Sequence, residues 1–84
     1  MSYKILIDDK VIKDLKKIDK TRQSRILHQI KTVLTEDSYR GKRLVGDLSP
    51  YRRLRVGDYR IIYEIEEERI IVEVIRIRHR KEVY

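Results

Sequence analysis

The chain has 84 residues, 42% of them charged and 40% apolar, with a formal charge of +7; this is one small basic domain with just enough apolar content for a single core. No apolar run approaches the length of about 18 residues that a spanning helix needs, and no signal-peptide core follows the opening residues. The lack of cysteine excludes a disulfide framework and thiol chemistry, and two histidines are too few for a transition-metal centre, so the expectation is a cytoplasmic domain over 1–84 that favours polyanions and needs no metal or cofactor.

Tyr3 to Ile7 is rich in β formers and reads as a short strand. Asp8 or Asp9 can then cap a helix over 10–19, where Val11, Ile12, Leu15 and Ile18 keep helical spacing. Asp19 or Thr21 offers a second cap. Ile26, Leu27, Ile30, Val33 and Leu34 form a wide apolar stripe for a second helix over 22–36. Gly41 to Pro50 reads as the loop of greatest length. Beyond it the apolar period drops to two, giving strands at 52–56, 59–65 and 70–77. Gly57-Asp58 is a two-residue hairpin turn, and Glu67-Glu68 is the expected centre of the next. The order β-α-α-β-β-β describes an α+β domain, with a helical hairpin on one face of an antiparallel-rich four-stranded sheet.

The first turn fixes a register. With Gly57 and Asp58 as the loop, Val56 faces Tyr59, Arg55 faces Arg60 and Arg53 faces Ile62. Leu54, Val56, Tyr59, Ile61, Tyr63 and Ile65 then share the face that meets the helices. Arg53, Arg55, Arg60, Ile62 and Glu64 share the other. Two arginines directly opposite one another destabilise a ladder by a few tenths to about 1 kcal/mol. Glu64 and Glu73 can relieve that repulsion on a solvated face, whereas converging guanidiniums also make a good phosphate clamp. With Glu67-Glu68 as the second loop, Ile62, Ile71, Ile75 and Ile77 fall on the open face, as an apolar patch for a partner. The tail, Arg76 to Tyr84, adds Arg78, Arg80 and Lys81, the titratable His79 and a terminal ring able to stack on a base. His28, in mid-helix, reads as a surface or boundary residue.

The blocks R-L-R-V-G-D-Y-R-I-I-Y at 53–63 and H-R-K-E-V-Y at 79–84, with Gly-Lys-Arg-Leu at 41–44, resemble the RelE/ParE toxin superfamily, and its RelE side in particular. The resemblance covers the whole chain. It implies a toxin of a type II toxin–antitoxin system: a metal-independent messenger-RNA endonuclease that works in the ribosomal A site. The ribose 2′-hydroxyl would attack the scissile phosphate, leaving a 2′,3′-cyclic phosphate and a 5′-hydroxyl. It further implies that Arg60 contacts that phosphate, that Arg53, or alternatively Arg52, and Arg55 are basic positions of the preceding strand, and that Arg80, with Arg78 competing, is the basic residue before the stacking Tyr84. His79 or Lys81 is left as the candidate proton acceptor, and Lys42 and Arg43 join Arg52, Arg55, Arg78 and Lys81 as RNA-binding candidates. The implied partners are the ribosome with its message and an acidic, largely helical RelB-like antitoxin in a hetero-oligomer. ParE relatives of the same fold poison DNA gyrase instead, and a non-toxic RNA-binding relative is a third possibility.

Overall fold

Residues 3–43 and 50–81 are described by the computed structural model. In chain order the elements are β1 (Lys4–Ile7), α1 (Asp9–Lys16), α2 (Lys20–Gln29), β2 (Lys42–Arg43), β3 (Tyr51–Val56), β4 (Tyr59–Glu66) and β5 (Ile71–His79). Their sheet order is β1-β5-β4-β3-β2, with β1 parallel to β5 and the other pairs antiparallel. The expected helical hairpin and four strands are all present. The two-residue β2 is an addition: it arises inside the stretch expected to be loop and forms a fifth strand at the edge.

Local chemistry accounts for the helices. The Asp8 carboxylate accepts from the Lys10 N–H at 3.0 Å and starts α1, while Asp19 accepts from the Arg22 N–H at 3.4 Å and starts α2. α2 passes into a π turn, Ile30–Leu34, whose first and last residues are fully buried. Between the helices, the Gln23 amide donates to the Leu15 and Ile18 carbonyls at 2.6 and 2.7 Å, satisfying acceptors left at the end of α1.

The core lies between this hairpin and one sheet face. Val11, Ile18, Ile26, Ile30 and Leu34 pack against Leu54, Val56, Ile61, Tyr63, Val72, Val74 and Ile77. Each such side chain removed from water stabilises the fold by about 1.5–3 kcal/mol. Where β5 runs on past β1, Asp14 of α1 reaches the sheet. Its carboxylate accepts from the Ile77 N–H at 2.9 Å and pairs with the Arg76 guanidinium at 3.1 Å, covering part of an otherwise open strand edge.

The β4–β5 connection departs from expectation. Residues 67–70 form a four-residue turn in which Ile70 adopts φ 54°, a left-handed conformation costly for a β-branched side chain. Arg69 and Glu66 close this turn with paired contacts of 2.5 and 2.6 Å. The Ile70 carbonyl accepts from the Lys4 N–H at 3.0 Å, next to the first β1–β5 residue pair.

Further along, Tyr63 pairs with Val74 but Ile62 pairs with Arg76, leaving Ile75 as the extra residue of a β-bulge. One inserted residue reverses the facing of everything after it. Ile77 is therefore in the core at 3% exposure rather than on the open face. Ile62 and Ile71 do take open-face positions but are 7% and 8% exposed, and Ile75 is half-buried. The expected patch of exposed isoleucines is not formed.

Candidate nucleic-acid interface

Arg55 faces Arg60 across β3 and β4, as the two-residue turn requires. The bulge then sets Arg78 opposite Arg60 across β4 and β5. Three arginines thus stand in a row on three adjacent strands, on the face away from the helices. A second row runs Lys42, Arg53, Ile62, Arg76 from the β2 edge inward, its Arg76 guanidinium drawn to Asp14. Along β3, Arg53 and Arg55 are two residues apart and so lie about 6.8 Å from each other on the same face. Arg40, Gly41, Lys42, Arg53, Leu54, Arg55 and Arg60 enclose a cleft of about 360 Å³. Every ionisable side chain among them is cationic. Glu64 lies diagonally from Arg53, opposite Tyr51 and Glu73, and begins the acidic part of the same face.

The side wall of the cleft is held by a buried polar clamp. The Tyr63 hydroxyl donates to the Ser38 carbonyl at 2.7 Å and accepts from the Gly41 N–H at 2.9 Å. Burial pushes the Tyr63 phenol above its ordinary value, with the Gly41 N–H acting in the opposite direction. The Ser38 hydroxyl donates back to the Leu34 carbonyl at 2.6 Å. A side chain on Gly41 would run into the Arg53 carbonyl and the Tyr63 hydroxyl, so this position admits no Cβ without movement.

Arg52 belongs to this clamp and not to the cleft. It faces Tyr63 in the register, donates to the Gly41 carbonyl at 2.8 Å and to that of Tyr39 at 3.4 Å, and lies 4.9 Å above the Tyr39 ring. Of the two alternatives on β3, Arg53 is therefore the one that shares a face with Arg55 and Arg60. Arg43 occupies the register position opposite Arg52, not opposite Arg53.

The tail residues are brought together only in part. His79 faces Tyr59, which packs on the core, and the two rings meet edge to face at 5.2 Å and 88°. Its Nδ1 accepts from the Lys81 N–H at 3.2 Å. The imidazole is thus on the helix side of the sheet. As a candidate proton acceptor it is displaced from the arginine rows by the same bulge that brings Arg78 to them. Arg80 is tied to the β3–β4 turn at the end of the arginine row: its N–H donates to the Asp58 carbonyl at 2.7 Å, and its guanidinium lies 3.6 Å from the Asp58 carboxylate. Lys81 is exposed. Tyr84 lies outside the described residues. Arg40 and the Tyr63 clamp went unseen in the sequence; the one available signal was a glycine directly after a basic residue in the loop.

A strand, a helical hairpin and a three-strand meander make a small basic α+β domain with a cationic sheet face. The family model for the ParE toxin of type II toxin–antitoxin systems matches residues 5–84, and the chain belongs to that family. A similar curated relative is the mRNA interferase toxin RelE of Escherichia coli K12, 29% identical over 87 residues, covering 100% of this chain and 92% of that protein. Among solved structures, the toxin–antitoxin complex RelBE2 of Mycobacterium tuberculosis matches with TM-score 0.89 and 25% identity, over 98% of this chain and 95% of that one. The archaeal RelE–RelB complex of Pyrococcus horikoshii matches with TM-score 0.75 and 25% identity, over 99% of this chain and 100% of that one. No helix among the described residues is long and apolar enough to cross a membrane.

Proposed function

We propose that this toxin is an endoribonuclease that cuts messenger RNA in the ribosomal A site, without a metal ion. The observation that carries the reading is the row Arg55, Arg60, Arg78 opposite one another on three strands; the name of the Escherichia coli relative supports it. A sheet selected for stability alone would alternate charge at these positions. As the ribose 2′-hydroxyl attacks, it gives its proton to water, its oxygen forms a new bond to phosphorus, and the group passes through a pentacoordinate phosphorane with added negative charge. The bond to the 5′-oxygen then breaks, leaving a 2′,3′-cyclic phosphate and a 5′-hydroxyl once that oxygen gains a proton. Fixed guanidiniums favour the phosphorane over the ground state, because they need no reorganisation as its charge develops.

Arginine is a poor proton acceptor, and His79 faces away from the row. The chain's own contribution is electrostatic, with Arg60 at the centre and Arg53, Arg55 and Arg78 around it. Arg80 and Tyr84 act from the tail. The ribosome, by holding the codon, supplies orientation, which shortens the search for an in-line geometry. The partner that silences the toxin is an acidic antitoxin whose carboxylates cover the cleft, giving a hetero-oligomer in the cytoplasm.

Primer extension on cellular messages after expression tests the reading. Cuts at codon spacing are expected, and their loss on co-expression with the antitoxin. The family description itself names ParE, so gyrase poisoning is the competing reading; intact transcripts with a DNA-damage response would replace the first reading with the second.

A further inference from the structure

We infer that Arg40 and Lys42 form a second phosphate subsite beside the arginine rows, so that the cleft grips a strand with at least two consecutive phosphates. The inference rests on reading the open face as a site for RNA. A phosphodiester carries one negative charge and two non-bridging oxygens. Arg40, Lys42, Arg53, Arg55 and Arg60 all line one cleft of about 360 Å³. Five cationic side chains exceed what one such group can pair, and most of their donors would stay unmatched. Arg53, Arg55 and Arg60, from β3 and β4, offer donors enough for one phosphate. Lys42 faces Arg53 from the next strand outward, and Arg40 enters from the turn before it. These two carry the cationic lining outward toward the β2 edge, leaving donors for an adjoining phosphate.

The way this wall is held points to the same role. β2 is only two residues long, and both Arg40 and Lys42 are exposed. Such an edge buries little and has small reason to persist on its own. Yet the segment 38–41 is fixed by a buried tyrosine from β4, by the Arg52 guanidinium from β3 and by a glycine that admits no side chain. Those contacts fix the backbone on either side of Arg40 and immediately before Lys42. Tyr63 and Arg52 are positioning residues for the subsite, and neither touches the substrate.

Binding of uncleavable 2′-deoxy oligonucleotides separates this subsite from the rest of the cleft. The probes are a dinucleotide with a single internucleotide phosphate and a tetranucleotide with three, followed by fluorescence anisotropy on the free toxin. Arg40→Ala and Lys42→Ala should each weaken the tetranucleotide about tenfold, the size of one charged hydrogen bond, and leave the dinucleotide within about twofold. Tyr63→Phe keeps the ring but loses both hydroxyl contacts, and should reproduce the tetranucleotide loss. Arg60→Ala should weaken both probes. Equal losses on the two probes, or none, for the exposed Arg40 and Lys42 variants would overturn the subsite. A protein that shows this length dependence but leaves message intact keeps the subsite and loses the endonuclease reading; one that cuts message while Arg40→Ala leaves tetranucleotide binding unchanged does the reverse.

Discussion

The two faces of the sheet obey different rules. On the helix side, apolar side chains interdigitate, the buried Tyr63 hydroxyl has two partners, and Asp14 answers Arg76 and the Ile77 N–H. On the open side, cations stand directly opposite cations across three strands. The first arrangement holds the fold together and the second works against it. A ligand carrying negative charge would turn the second to advantage, which separates the stabilising face from the one proposed to bind RNA. The two meet at the bulge. By inserting Ile75, β5 sends Ile77 into the core and in the same step turns Arg78 toward Arg60. A single backbone irregularity thus completes both faces.

This contrast sets the order of expected effects. The largest is on the arginine face: Arg60→Ala should lower the rate of message cleavage by about 10²–10³, measured on protein whose circular dichroism spectrum is native. A normal cleavage rate would move the site elsewhere. Next comes the stabilising face. Asp14→Ala strands a half-buried guanidinium and the Ile77 N–H, and should cost about 2–4 kcal/mol in urea denaturation; a change within error would mean that Asp14 is solvated surface.

A smaller effect concerns pH. Tyr63 is raised in the folded protein above the ordinary value of 10.0. Its contribution is therefore fully present below that value and is lost as pH rises through the folded one. Wild-type stability should fall on the alkaline side more steeply than that of Tyr63→Phe, and parallel alkaline limbs would remove the hydroxyl from the account. The smallest effect is at the strained turn. Ile70→Asn places a residue that tolerates the left-handed region at φ 54° and should raise stability by about 1 kcal/mol or less. Destabilisation would show that the isoleucine side chain contributes more by packing than its backbone costs.

How far the sequence carries the structure depends on sequence separation. Arg55 opposite Arg60 was legible because Gly57-Asp58 leaves room for only one register. The core stripes of both helices were legible from their period, and the caps from aspartates at the expected places. What lay beyond reach depends on distant partners. Asp14 and Arg76 are 62 residues apart, and Tyr63 meets Ser38 across 25; neither pairing leaves a periodic trace. The bulge escaped because Ile70 to Ile77 alternates well enough for either register. From that one residue followed the misplacement of Ile77 on the open face and the expectation that His79 stands with the arginines. The superfamily resemblance drew attention to Arg52 and Arg53 together, and only the fold divides them, one to the clamp and one to the cleft.

On the proposed mechanism, cleavage depends on which face carries the charge and not on the total. Two charge-matched variants test it: Arg53→Gln/Arg55→Gln/Arg60→Gln on the open face, and Lys10→Gln/Lys13→Gln/Lys16→Gln on the exposed side of α1. Each lowers the net charge by three. Single-turnover cleavage of ribosome-bound message is measured at saturating toxin, with folding checked by circular dichroism. The open-face variant should lose cleavage while the helix variant stays within a few-fold of wild type. Equal loss in the two, or retention in the first, would contradict it.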